Sequence, residues 1–454
     1  MIEFKYRGVV KYKPKLDKNF RPIAIDNREY VRAVNEAQDI ELVKFALIRN
    51  EDFIFTVNAS VLSGKKENRS DNIIFTERKL KTLLWLKGGW KVIFAGPNYI
   101  GQYLIEHYAT GGERQFDAEF MGRIYGEIFT VEITSYDQVP EPKEVAVPLG
   151  RNWDGCRIGF DAGGSDRKVS AVIDGKVVYS EEVVWNPKLM DKPSYHYEGI
   201  MDSMKKAASK MPRVDAIGVS AAGIYIDNQV KAASLFLKVT EEDFKREVKN
   251  IFLDIAKEFN VPIEVANDGD VTALAGAMSL NESCILGIAM GTSEATGYVD
   301  ADGNITGWLN ELAFVPVDYN PCAMVDEWSG DIGCGVKYFS QDAVIKLAMK
   351  ANIDLEESLS PAEKLKVIQE LMQRGDKRAK EIYDSIGSYL GYTIAHYDGF
   401  YNIKHVLLLG RVTLGKGGNI IRDKAERVLK EEFPELTIDL AIPDEKNRVL
   451  LQTF

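Results

Sequence analysis

The sequence predicts an α/β protein, with two α/β lobes in series around a cleft, preceded by a separate α+β N-terminal domain. Three observations carry the prediction. After about residue 150, period-two apolar runs alternate with amphipathic helical stretches. Each of two successive α/β units opens on a hairpin-like run, first Cys156 to Val178 and again Cys284 to Asp300. Ahead of both, DQVPEPKEVAVPLGRNW, Asp137 to Trp153, carries three prolines and mixed charge without helical periodicity, and reads as a linker. For 454 residues this gives three domains, 1–150, 151–280 and 281–454, the end of the last free to pack back on the first lobe.

In the N-terminal part, Asp52 to Val61, Trp90 to Ala95 and Arg123 to Thr134 read as strands, and Glu36 to Ile48 and Glu77 to Leu86 as helices. Gly96 to His107 reads as a turn entering a helix. Beyond the linker, helix Tyr195 to Lys210 leads to strand Val214 to Val219, and helix Glu241 to Phe259 leads to strand Ile263 to Ala266. A helix follows over Val271 to Met278. After the second hairpin, Ser340 to Tyr397 is mostly helical, KHVLLLG is a buried strand, and GKGGNIIRDKAERVLKEEF is a glycine-led amphipathic helix.

Composition narrows the function. A net charge of −11 argues against a general nucleic-acid binder, and the 11 Lys/Arg against 7 Asp/Glu in the first fifty residues are too slight an excess to make a basic face. No apolar run approaches the ~18 residues of a membrane span. MIEFKYRGVVKYKPK lacks the apolar core of a signal peptide, so the cytoplasm is the expected compartment. Cys156, Cys284, Cys322 and Cys334 form no C-x-x-C pair, and four histidines add no zinc pattern; Cys156 and Cys284 read as buried thiols.

Three glycine-bearing turns stand just past strands: Asp161-Ala-Gly163-Gly164-Ser165, Gly291-Thr292-Ser293, and Gly410 with Gly415, Gly417 and Gly418 before a helix. Backbone N–H groups at such turns, and a helix N-terminus, suit phosphate oxygens. Together they predict one nucleotide in one cleft beyond the carboxyl ends of the strands. No P-loop and no dinucleotide fingerprint occurs.

FDAGGSDRK, EVANDGDVTALAGAM, GIAMGTSEATG, GWLNELAFVPVD and LLLGRVTLGKGG follow one another in the order and spacing of the ROK (repressor, open reading frame, kinase) family. Residues 157–454 resemble that family of the actin-like, ribonuclease H-like sugar kinases. The resemblance implies two actin-like lobes, ATP with Mg²⁺ as cofactors, a small sugar as substrate, and a homodimer. It implies that Asp161 faces the magnesium–phosphate group through water and that Gly163, Gly164 and Ser165 cradle phosphate. Asn267 and Asp268 match the pair that meets the sugar, with Asp268 the catalytic base. Gly291 and Thr292 match the second phosphate loop, Glu311 a sugar-binding glutamate, and Gly410, Gly415, Gly417 and Gly418 the adenosine loop. The chemistry agrees, since a sugar hydroxyl attacks a phosphoryl group once a carboxylate accepts its proton. Asp268 also stands where an N-cap belongs, and Asp270 where a first-turn acid is favoured.

The pattern breaks in three places. Phe314 stands at the family's histidine position, and CAMVDEWSGDIGCGVKYFS lacks the full cysteine cluster, with Cys334 alone matching, so no structural zinc is expected. The loop that zinc would brace is then expected to be held by packing, through Phe314 and Trp328. Glu294 in the second phosphate loop and Asp166 in the first add negative charge beside the expected triphosphate. The leading reading is an ATP-dependent sugar kinase, and the alternative is a non-catalytic sugar sensor or regulator of the same family. The alternative calls for a basic recognition helix, which residues 1–150 do not display, so nucleic acid is not an expected partner.

Overall fold

The computed structural model describes residues 3–144, 146 and 154–443. These group into two compact units. One gathers the chain up to Val145 with Ile288–Thr296 and Trp308–Ile442; the other gathers Ala146–Gly287 with Gly297–Gly307. The expected boundary near residue 150 and the C-terminal end beyond residue 443 lie outside the described residues.

In the first unit, β1 (Ile40–Ile48) pairs antiparallel with both β2 (Ile54–Leu62) and β3 (Lys91–Ala95), and β4 (Thr130–Ile133) runs parallel to β3, giving the order β2-β1-β3-β4. Around this sheet lie α1 (Ile23–Glu36), α2 (Arg69–Lys87), α3 (Asn98–His107) and α4 (Gln115–Tyr125). The helix expected over Glu36 to Ile48 is therefore corrected to a strand. Glu, Ala, Leu and Lys there favour a helix, but a central strand covered on both faces buries Val43 to Ile48 in unbroken succession, which outweighs local propensity. The strand expected over Arg123 to Thr134 shortens to β4, because α4 runs on to Tyr125 and stops at a left-handed Gly126.

The N-terminal segment does have its own α+β sheet, yet it does not stand apart. Ile23 N donates to Val317 O at 3.2 Å, Arg21 N to Asp318 Oδ1 at 2.9 Å and Tyr12 N to the Tyr392 hydroxyl at 3.0 Å. Residues 1–145 thus share a unit with Trp308–Ile442 instead of forming the separate domain expected.

In the second unit, β5 (Cys156–Ala162), β6 (Asp166–Ile173) and β7 (Lys176–Val184) form an antiparallel meander. β8 (Ala216–Ala221) then pairs parallel with β5, and a small hairpin, β9 (Ile224–Ile226) and β10 (Gln229–Ala232), precedes β11 (Ile263–Asn267), which pairs parallel with β8. The sheet order is β11-β8-β5-β6-β7. Helices α5 (Pro193–Ala208), α6 (Glu241–Asp243), α7 (Ile251–Phe259) and α8 (Asp268–Leu280) complete it. Ile158, Phe160, Ile217, Val219, Phe252 and Ile255 lie in its core. Alternation along β5 buries Cys156, Ile158, Phe160 and Ala162, which leaves Asp161 on the opposite face.

Later in the chain β12 (Ile285–Met290), β13 (Glu294–Val299), β14 (His405–Leu409) and β15 (Asp439–Ala441) form a sheet of order β13-β12-β14-β15, and α9 (Gln341–Lys350), α10 (Pro361–Gln373), α11 (Lys377–Asp398) and α12 (Lys416–Glu432) follow the expected helical stretches. No helix among the described residues is long and apolar enough to cross a membrane.

Candidate functional site

The residues singled out in the sequence fall into two sets, one in each unit. In the second unit, strand register aligns Asp161 with Ser220 on β8 and Ser220 with Ala266 on β11; one step on, Ala162, Ala221 and Asn267 stand in a row. Three parallel strands therefore deliver their C-terminal ends side by side, and Asp161 and Asn267 emerge from the outer two, about 10 Å apart.

Asp161 is partly exposed, and Lys168 Nζ lies 4.0 Å from its Oδ2 and 3.4 Å from Asp166 Oδ1. Burial raises the Asp161 carboxyl above the ordinary range; Lys168 and Ser220 oppose that rise, and the Asp268 charge adds to it. The turn that follows is held by Trp185 Nε1, which donates to Gly163 O at 2.8 Å. Neither Gly163 nor Gly164 has a left-handed φ. Gly163 is needed for clearance, since a Cβ there would come 2.6 Å from Asp166 O; one on Gly164 would sit 3.0 Å from Lys188 Cε, a side-chain end that can move aside. The Lys188 ammonium beside this turn carried no sequence signal, because β7 separates it from the turn in the chain. Asp166 is not a bare charge at the tip, since Ser165 Oγ donates to its Oδ2 at 3.1 Å and Lys168 faces its other oxygen. A side-chain-free cradle, two lysines and a partly exposed carboxylate form a donor set that suits a magnesium-bound polyphosphate.

Asn267 caps α8: its Oδ1 accepts from Gly269 N at 2.7 Å, while its Nδ2 donates to Gly223 O at 2.7 Å. One further N–H and one lone pair remain on that amide for a ligand. Asp268 is the first residue of the helix, not its cap, and accepts from Gly269 N at 3.0 Å. Burial raises its carboxyl and the Gly269 N–H partly offsets this, which makes it a stronger base than a free aspartate. Asp270, one turn face away, is buried and accepts from Tyr298 N at 3.3 Å, a structural role beyond a first-turn acid.

In the first unit, the second loop is a tight turn: Gly291 N donates to Ser293 O at 2.9 Å, and Gln341 N at the start of α9 donates to Gly291 O at 2.9 Å. Thr292 and Ser293 are exposed, whereas Glu294 turns inward and is 3% exposed. Glu294 therefore does not aim its charge out of the loop tip. Burial, reinforced by Glu311, pushes its carboxyl well above the ordinary range. Gly410 has φ 86°, and a Cβ there would clash with Met290 O, so the expected adenosine loop packs against the residue preceding Gly291. Gly415 is left-handed at φ 65°, a Cβ on Gly417 would come 2.5 Å from the Tyr383 ring, and one on Gly418 would clash with Thr413 O. These glycines let α12 begin close against its neighbours.

Glu311 N donates to Trp85 O at 2.9 Å and Asn310 N to Leu86 O at 3.0 Å. The two positions matched to the zinc motif do other work. Phe314 stacks on Trp85 with ring centroids 4.2 Å apart, and Cys334 is buried with its Sγ 4.0 Å from Asp331 Oδ2, next to the Lys81 ammonium. Trp328, expected to brace the same loop, is instead 69% exposed. Nothing in the sequence around Phe314 signals that its packing partner is Trp85, more than two hundred residues away. No group of three or more His, Cys, Asp or Glu arranged to hold a metal occurs among the described residues.

Comparison with known proteins bears on the fold and the family. The chain is similar in fold to a ROK hexokinase from Thermus thermophilus, at 16% identity and a TM-score of 0.52, over 66% of this chain and 96% of that one. It is equally similar to a ROK family transcriptional regulator described as a homologue of the E. coli MLC protein, at 18% identity and a TM-score of 0.53, over 66% of this chain and 80% of that one. No curated protein matches. The ROK family model matches residues 157–449, from the strand that carries Asp161 to beyond the glycines of α12, and with well over half of its length matched this chain belongs to the ROK family.

Proposed function

We propose that the protein phosphorylates a sugar hydroxyl, a hexose or an amino sugar, at the expense of ATP. The observation that carries this reading is the placement of Asp268: a partly buried carboxyl of raised basicity, one residue after a strand end, beside an asparagine with hydrogen-bonding capacity to spare. Asp268 takes the proton of the attacking hydroxyl, and Asn267 and Glu311 orient the ring by hydrogen bonds. Asp161 would face the metal of a metal-bound polyphosphate, while the N–H groups of Gly163–Ser165 and the Lys188 ammonium would steady its oxygens. ATP supplies the phosphoryl group, and its Mg²⁺ neutralises the charge that builds on transfer. The ROK hexokinase from Thermus thermophilus is similar in fold to this chain and supports the kinase reading, and the similar ROK family transcriptional regulator supports the sensor alternative.

The test is an ADP-release assay with ATP, Mg²⁺ and a panel of aldoses and amino sugars, run beside Asp268→Asn. Sugar-dependent turnover in the wild type that falls by at least about 10² in the variant supports the kinase and its base. Turnover should also lose its acid limb in the variant, because the raised Asp268 carboxyl is the group that must ionise. If no sugar releases ADP but one raises the melting temperature equally in both proteins, the chain is a sugar sensor.

A further inference from the structure

No role is yet assigned to the first 144 residues, yet one of their helices touches the backbone on which Glu311 stands. The last turn of any α-helix leaves carbonyl oxygens without intrahelical partners. At the end of α2, Gly88 N takes the Leu84 carbonyl, while those of Trp85 and Leu86 accept from Glu311 N and Asn310 N. The loop thus serves as the C-terminal cap of the helix, and the helix in turn fixes two consecutive peptide units of the loop. Asn310 is held in the left-handed region at φ 52°, with Tyr401 donating to its Oδ1 at 2.9 Å. Asparagine adopts that conformation more readily than other side-chain-bearing residues, so the loop turns here at little cost.

Side chains repeat the attachment. The Trp85 ring, itself packed on Phe120 at 5.0 Å, stacks on Phe314, three residues after Glu311. One helix turn earlier, Lys81 is fully buried, with Nζ 2.8 Å from Asp331 Oδ2 and 3.2 Å from Asp117 Oδ1. Arg78 Nη1 reaches the same Asp331 Oδ2 at 2.8 Å and Arg114 Nη1 its Oδ1 at 3.1 Å; both arginines also bind Glu77, at 2.7 and 2.6 Å. Three cations meet three carboxylates in a closed cluster. Burial alone would raise Asp331, but Arg78 and Lys81 outweigh it and hold it well below the carboxylate range. Asp331 is two residues from Gly333, whose carbonyl accepts from Val317 N at 2.8 Å, and Gly335 N donates to Val315 O at 2.9 Å. The cluster therefore fixes the second strand of backbone that flanks the Glu311 loop.

We propose that α2 is a built-in brace for the Asn310–Glu311 loop, with Lys81, Arg78, Arg114, Trp85 and Phe314 as positioning residues that set where the Glu311 carboxylate meets its sugar. The sugar contact itself rests on the function proposed above; the brace does not. Two variants of the full chain separate the possibilities. Phe314→Leu removes the stack without stranding a charge, and Lys81→Met/Asp117→Asn removes one cation and one carboxylate together, so that no net charge is left buried.

Amide hydrogen exchange is the first readout. In either variant, exchange across residues 310–315 should accelerate at least about tenfold while β8 and β11 keep wild-type protection. Unchanged exchange at 310–315 in a folded variant overturns the brace. The second readout is kinetic, with D-glucose, N-acetyl-D-glucosamine and N-acetyl-D-mannosamine as probes. The KM for a probe that the wild type phosphorylates should rise about tenfold with kcat within about twofold, and Phe314→Tyr, which keeps the ring, should restore it. Faster exchange with an unmoved KM supports the brace and overturns Glu311 as the sugar contact. If the wild type phosphorylates none of the three, the exchange result alone decides.

Discussion

Glu294 holds one of the least comfortable carboxyls in the molecule. Neither of its oxygens has a hydrogen-bond partner among the described residues, and Glu311 lies close enough to disfavour ionisation further. Gly335 makes room for it, since a Cβ there would clash with Glu294 Oε2. A carboxyl whose folded-state pKa is raised costs nothing below the unfolded value, where both states carry the proton. As pH rises above about 4.3, the unfolded chain releases the proton and the folded one does not, so the cost of folding grows until the folded value is passed. Glu294→Gln is therefore expected to raise the melting temperature at pH 8 by about 2–4 °C for each kcal/mol recovered, and to leave it nearly unchanged at pH 4. Thermal melts of both proteins across that range check this; an equal shift at every pH would mean that the glutamate titrates alike in the folded and unfolded chain, and a lowered melting temperature at pH 8 that it is charged and partnered when folded. The sequence flagged this residue only as a hazard to a phosphate. That it turns inward depends on Gly335, forty-one residues later, and no local pattern encodes such a fit.

The elements that carry the site were legible to different degrees. The hairpin of β5 and β6, β8, β11 and the helix after Asp268 stood out because each is a short apolar run or amphipathic stretch bounded by a turn. β1 did not, because its residues favour a helix and only pairing on both sides makes it a strand. α2 was visible only over its apolar half; its buried Glu77, Lys81 and Lys87 look like surface residues until their partners are known. α8 was recognised, but its cap was assigned one residue late. Asn267, not Asp268, closes the helix end, and the same amide ties it to Gly223 before β9. Asn267→Ala should thus lose a cap of about 1 kcal/mol and a second hydrogen bond of similar size. The expected loss of about 2 kcal/mol, read from urea midpoints, should be matched by faster amide exchange in the first turn of α8. A loss confined to sugar binding, with midpoint and exchange unchanged, would mean that the capping bond is not made in solution.

Taken as a whole, the chain divides differently from the way its sequence reads. The proline-rich stretch near residue 150 and the start of the family match at residue 157 both suggest that everything before them is an appendage. The packing contradicts that. Phe20 lies against Tyr389 with centroids 4.6 Å apart, Tyr389 donates to Asp17 at 2.7 Å, Lys11 N donates to Glu432 at 2.7 Å, and Arg28 reaches the Glu432 carbonyl at 2.7 Å. Such contacts join residues from 369 to 421 positions apart, so no window of sequence can display them. If residues 1–144 complete the core of the first unit, a chain beginning at Asp154 should leave Trp308–Ile442 poorly packed while the sheet of the second unit keeps its own core. Limited proteolysis should then cut within 308–442 at least about tenfold faster than in the full chain, with 156–287 equally protected in both. Equal protection of 308–442 in the two chains would return the N-terminal segment to the status of an appendage. The accelerated cleavage would instead mean that this chain, unlike one built only of its family-matching part, cannot form its Glu311-bearing half without the residues that precede the match.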